Sequence, residues 1–158
     1  MRTMARAGAY ANHNEDRAMK SKAGFVLSSV LTMIVLHGNT KQFWPKIPYL
    51  SLRDESVAEH TRLIFNALTL VTIGQLLLRR LSPVRVPARA VGIGAVTAAL
   101  GPLIVFGQRG LRLRPPISEV YNLSLVWLLP LAATLLEDAA ADTIAWGDRQ
   151  IETQSAEH

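Results

Sequence analysis

Charged residues are missing from four long stretches of this chain: residues 23–40, 63–78, 90–108 and 120–136. Each is close to the length at which a helix crosses a bilayer. Each is bordered by basic or acidic residues. A helix of a soluble bundle keeps a polar face, with charge at several positions per two turns. None of the four stretches has such a face, which excludes a soluble four-helix bundle. The pattern predicts an all-α, polytopic integral membrane protein, a four-helix transmembrane bundle with spans at about 23–40, 61–78, 90–108 and 117–136. A polar basic arm (1–22) precedes the membrane domain (23–136), and an acidic tail (137–158) follows it.

Local signals set the boundaries. Gly38 and Asn39 stop the first helix. Pro45 and Pro48 keep residues 40–59 irregular. Phe43, Trp44 and Tyr49 around them suit the headgroup level, where one end of an aromatic ring is wet. Ser56 and Glu59 form a capping-box pattern for the second helix. The short connection 79–87, with Pro83 and Pro87, makes spans two and three antiparallel neighbours. In span three, Ala90, Gly94 and Ala98 recur every four residues and Gly101 follows. These are the expected helix-packing residues, because small side chains on one side let another backbone approach. Gly92-x-Gly94 lies within an apolar span and follows no strand, so it is read as packing and not as a dinucleotide loop. Pro102 is expected to kink this helix. The arm 1–22 is expected to be disordered or frayed. Residues 139–151 have the composition of a surface helix, with Gly147 against it.

Length bears on the membrane assignment. The uncharged part of span two rises only about 24 Å, against roughly 30 Å of hydrocarbon. Its flanking arginines must snorkel, or the membrane must thin. At the N-terminus, Arg17, Lys20 and Lys22 before an apolar run resemble a signal peptide. No small-x-small cleavage site follows, so a retained first helix is predicted. Residues 1–11 also have transit-peptide character, which Glu15 and Asp16 oppose. Lys and Arg number five in 1–22, four in 79–89 and one in the tail, against four in 40–62 and three in 109–114. That bias places both termini in the cytosol.

Only 18% of the 158 residues are charged and 49% are hydrophobic. The net charge of +5 sits beside the apolar stretches, where it meets lipid headgroups and not nucleic acid. Cysteine is absent, which excludes disulfides and thiolate metal sites. Asn66, Thr69, Gln75 and Asn122 are the polar residues of the spans that most need the bundle interior, as interhelical bonds or as the lining of a solute path. No ionisable residue lies deep in a span, which argues against an ion-coupled carrier. His37, Asp54, Glu55, Glu59 and His60 gather on the outer side without the spacing of a defined metal motif. A solvated loop is expected there, with a metal or proton site as the alternative, and no metal or cofactor is assigned.

The order of features over residues 25–138 resembles the FAR-17a/androgen-induced-gene-like membrane proteins. It rests on Glu59-His60-Thr61 leading into RLIFNALTLVTIGQLLL, on the loop LRPPISEVYNL, and on a helix ending LLPLAATLLED. The resemblance implies a six-helix hydrolase of fatty-acid esters of hydroxy fatty acids, with a membrane-embedded threonine nucleophile and a histidine. This chain has no histidine between His60 and His158, and four apolar stretches instead of six. Thr61 lies near the expected nucleophile, but its spacing to Asn66 does not match, so no catalytic residue is assigned. The leading expectation is a non-enzymatic membrane component that packs with itself or a membrane partner amid lipid. A lipid ester hydrolase and a small-solute carrier are the alternatives.

Overall fold

A computed structural model describes the backbone of residues 2–38 and 47–156 and the side chains of residues 19–38 and 47–149. Asn39, expected to stop the first helix, and Phe43, Trp44 and Pro45 of the expected headgroup-level loop lie outside the described residues. Four helices follow one another: α1 (Arg2–His37), α2 (Val57–Leu77), α3 (Val86–Val105) and α4 (Ile117–Ala156). A 3-10 turn, Pro83–Arg85, leads into α3, and a π turn, Phe106–Gly110, ends it. The described residues contain no strand. The fold is all-α.

Three segments are long and apolar enough to cross a membrane: Met19–His37, Pro83–Gly110 and Ile117–Arg149. The fourth helix, α2, falls short of that standard. Its first turns carry Glu59, His60 and Arg62. The uncharged remainder within the helix, 63–77, rises only about 22 Å. The four expected spans are thus four helices, of which three meet the length and composition of a span. Large apolar side chains stand exposed on every helix, among them Leu31 and Ile34 on α1, Ile73 on α2, Val91 on α3, and Leu123 and Leu135 on α4. Such a surface is costly in water and natural in lipid. Inside lies a second apolar set, including Phe25, Met33, Leu68, Val96, Leu129 and Ala133.

The expected frayed arm is helical from Arg2 onward. Ala5, Ala7, Ala9, Ala11 and Ala18 favour helix, and no proline precedes Pro45. Gly147 likewise fails to end α4: one glycine costs about 1 kcal/mol against alanine, and Ala139, Ala140, Ala141 and Ala145 precede it. At 36 and 40 residues, α1 and α4 outreach any bilayer core and project from the same end of the bundle. That end is called inner below.

Helix ends follow from local chemistry. Ser56 caps α2, its hydroxyl accepting from the Glu59 N–H at 3.2 Å. The reciprocal half of the box is different: the Glu59 carboxylate takes the Arg53 N–H, and Asp54 takes that of Ser56. In α3, Pro102 has no N–H to give, and four residues later the ladder widens into the π turn, with Leu111 N–H donating to the Phe106 carbonyl at 2.9 Å. The Tyr121 hydroxyl donates to the Leu103 carbonyl at 2.8 Å. Gly107 makes room for that ring, since a Cβ there would lie 2.5 Å from it.

The closest helix approach joins α3 to α4. A Cβ on Gly92 would lie 2.4 Å from the Ala133 carbonyl oxygen, so only glycine fits. One turn further in, Arg89 and Glu137 meet.

Candidate functional site

Polar chemistry concentrates at the two ends of the bundle. At the inner end, Arg89 and Glu137 are 2% and 1% exposed, which makes their ion pair a buried one. Arg89 also donates to the Gln75 side chain at 3.3 Å and lies over the Phe25 ring, 4.0 Å from its centroid. Gln75 in turn donates to the Ser21 carbonyl at 3.1 Å. Arg85 approaches both Glu137 and Asp138, and Lys22 pairs with Asp138. One cluster therefore ties α1, α2, α3 and α4 together. Sequence reading missed it because Arg89 and Glu137 each border an apolar stretch and look like headgroup charges. The available signal was their opposite sign at the same end of helices expected to neighbour each other.

At the outer end, three elements converge. His37 is the last residue of α1, Glu55 lies in the loop before α2, and His60 is in the first turn of α2. The Glu55 carboxylate is 3.5 Å from His60 Nε2 and 3.9 Å from His37 Nε2. The two rings are 5.4 Å apart between centroids. The ligand atoms of all three residues lie within 4.8 Å of one another. His60 Nδ1 is 2.9 Å from the Ser56 carbonyl, which can only accept, so Nδ1 carries the proton in that bond. The Leu52 N–H donates to the Leu36 carbonyl at 3.0 Å and fastens the loop to the end of α1.

Asp54 and Glu59, grouped with these residues by sequence, do other work. The Ser56 hydroxyl and N–H hold the Asp54 carboxyl below its ordinary range. The Arg62 guanidinium, helped by the Arg53 N–H, does the same for Glu59. Arg62 also donates to the Tyr49 and Ser51 carbonyls. Tyr49 has a left-handed φ of 65°, a conformation costing a non-glycine residue roughly 1–2 kcal/mol. Its carbonyl accepts from Asn66 at 3.2 Å as well as from Arg62.

Beneath the histidines a cleft of about 410 Å³ opens between α1, α2 and α4. Val30, Met33 and Leu63 form its buried floor, and Ile34, Leu123 and Trp127 its exposed lip. His37, His60 and Asn122 supply its polar groups. A neighbouring hollow of about 240 Å³ shares His60 and Asn122 and includes Glu55.

The sequence-nominated polar residues thus divide. Gln75 belongs to the inner cluster, Asn66 holds the outer loop, Asn122 lines both outer hollows, and Thr69 is half-buried. Of the nominated packing residues, Ala90, Gly94 and Ala98 face out of the bundle and Gly101 is half-buried. Close packing inside the bundle uses the opposite face, at Ala88, Gly92 and Val96. The Thr61 hydroxyl donates to the Val57 carbonyl of its own helix at 2.9 Å. Comparison with protein-family models, curated proteins and solved structures finds no match to this chain.

Proposed function

We propose that this chain is an integral membrane protein that holds a membrane lipid at the outer end of its bundle. The acyl chain lies in the cleft between α1, α2 and α4, and the headgroup meets His37, His60 and Asn122. The single observation behind this reading is the cleft itself, an apolar trough open sideways with its polar groups gathered at one end. That is the polarity order of a lipid. From His37 to Val30 the trough descends roughly 10 Å, about a third of the hydrocarbon thickness. Its volume is in the usual range of ligand sites. Counting basic residues supports a cytosolic inner end, which puts this site on the opposite leaflet. A photoreactive phospholipid, crosslinked in nanodiscs and mapped by mass spectrometry, tests the proposal. Labels should concentrate on residues 30–37 and on Leu123 and Trp127, and Leu63→Trp should reduce them by filling the floor. Labelling spread evenly over the exposed apolar residues of all four helices refutes it.

A second reading, lateral assembly with another copy or a membrane partner, has its own observation. Nothing stands within 4 Å of the position a Cβ would take on Gly94, while Gly92 already serves the bundle's internal contact. Gly94 and its small neighbours leave a shallow face on α3 where a second helix backbone fits. Gly94→Leu should then abolish crosslinked dimers in membranes, and unchanged crosslinking removes this reading. The hydrolase suggested by family resemblance gains little support: the Thr61 hydroxyl is bound to its own helix, and α4 offers Asn122 and no histidine.

A further inference from the structure

We propose that His37, Glu55 and His60 bind a divalent transition metal of the zinc class, with one coordination position left open toward the cleft. The donors set the class of ion. Two imidazoles and one carboxylate suit Zn²⁺, Co²⁺ or Fe²⁺, whereas Mg²⁺ and Ca²⁺ prefer all-oxygen sites.

The geometry is close to what such an ion needs. Metal–ligand bonds of about 2.1 Å place tetrahedral donors roughly 3.4 Å apart. The Glu55–His60 separation of 3.5 Å already matches, the Glu55–His37 separation of 3.9 Å is half an ångström wide, and all three ligand atoms lie within 4.8 Å of one another, so the histidines must draw together to complete the site. Side-chain torsions close that gap, because His37 and Glu55 are both partly exposed at 41% and 77%.

Orientation gives a second reason. His60 Nδ1 bonds to the Ser56 carbonyl, which leaves Nε2 turned toward the Glu55 carboxylate at 3.5 Å. A proton on Nε2 would satisfy that pair alone. A second imidazole, His37, reaches the same carboxylate, and this convergence of three donors is what a metal requires. The backbone bond from Ser56 to Nδ1 is also the usual outer support of a metal-ligating histidine.

The loop is held independently of any ion. Asp54 accepts from the Ser56 N–H at 2.8 Å and the Leu52 N–H bonds to the Leu36 carbonyl, so Glu55 is carried on a short tethered segment between them. Three protein ligands leave a fourth position for water or for an oxygen of a lipid headgroup, next to Asn122. The metal site stands on the cluster's own geometry and does not depend on the lipid reading.

The test uses the full untagged chain, metal-free, in detergent without lipid. Titration with Co²⁺ should produce visible d–d absorption bands at one equivalent, and Zn²⁺ should displace them. His37→Ala, His60→Ala and Glu55→Gln should each weaken binding at least tenfold with an unchanged circular dichroism spectrum. Glu55→Gln keeps side-chain size, so it remains informative if a histidine variant fails to fold. Absence of stoichiometric binding in the wild type overturns the proposal. So does binding that survives these variants but is lost on changing His13 or His158, the other two histidines. Lipid crosslinking in metal-free nanodiscs is read separately: its failure sinks the lipid proposal and leaves this one standing.

Discussion

Replacing Arg89 by methionine should destabilise the bundle by about 3 kcal/mol, while adding Glu137→Leu to it should recover about 1–2 kcal/mol of that loss. The reasoning starts from burial. Glu137 is 1% exposed, and its Oε2 bonds to Arg89. Its Oε1 has no hydrogen bond, only Arg85 Nη1 at 3.6 Å. Removing Arg89 strands a carboxylate where water does not reach, and breaking a buried pair from one side costs roughly 3–5 kcal/mol. The lower end applies, because Arg85 is 44% exposed and able to swing toward the vacated space. The pair as a whole is a different matter. Its Coulomb gain roughly balances its desolvation, so an apolar pair of similar volume is near neutral. The double variant still leaves the Gln75 oxygen without its donor, a penalty of about 1 kcal/mol. It should therefore lie within about 1–2 kcal/mol of wild type, giving a coupling energy of at least about 2 kcal/mol between the two positions. SDS-titrated unfolding in bicelles, followed by tryptophan fluorescence, measures all four corners of the cycle. Single variants costing under about 1 kcal/mol would show that water or lipid headgroups reach the pair. A double variant as damaged as the singles would show that charge, and not volume, is what this position requires.

The remaining expectations concern the glycines, the α2 cap and the outer loop. Gly92→Ala should cost about 1–3 kcal/mol in the same assay, because its methyl group forces α3 from α4, whereas Gly94→Ala should be neutral or stabilising by up to about 1 kcal/mol. Equal effects would contradict the assignment of the inner face. Ser56→Ala should cost about 1 kcal/mol through loss of the α2 cap, with faster amide exchange confined to the first turn; unaltered exchange there would exclude the capping bond. Asp54 and Glu59 have carboxyls held below their ordinary range, so their contribution is complete at neutral pH and is lost as pH falls through that range and the depressed values. Side-chain carboxyl NMR shifts should titrate at lower pH than free Asp and Glu, and midpoints at or above the free values would refute the bonding to Ser56 and Arg62.

Helix number was legible because it follows from long-range composition: a stretch without charge has few ways to satisfy its backbone except as a helix. The α2 start was legible from Ser56 and Glu59, though the partner of Glu59 was not, since Arg53 N–H competes for it through the loop's path. The facing of α3 was ambiguous for a physical reason. The helix is small or apolar all round, so Gly92 and Gly94 offer equally plausible seams, and only the position of Ala133 distinguishes them. The Arg89–Glu137 pair was hidden by the habit of treating border charges as solvated. The gathering of His37, Glu55 and His60 on one side was legible, but not their contact: His37 and His60 are 23 positions apart, and a loop must fold back before they meet. Their residue types pointed to metal chemistry, while spacing along the chain gave no support.

The contrast between the two ends bears on where function resides. The inner end closes all four helices through the buried Arg89–Glu137 pair and its neighbours, whose loss is expensive. Outer-end closure relies on backbone bonds and on side chains that remain partly exposed, such as His37, Glu55 and His60. Exposed side chains of this kind rearrange more readily than a buried core, which is the condition a binding site needs for entry and release. The cleft begins at this loosely held end and terminates against the floor formed by Val30, Met33 and Leu63, well short of the buried ion pair. On the proposed lipid site, a ligand entering sideways from the bilayer would reach the histidines without disturbing the inner lock. A substitution that loosens that lock should lower stability while the outer donors keep their mutual geometry. The reverse is expected for Glu55 and the histidines, whose exposure makes them cheap to replace in stability and, on the proposed metal site, decisive for binding.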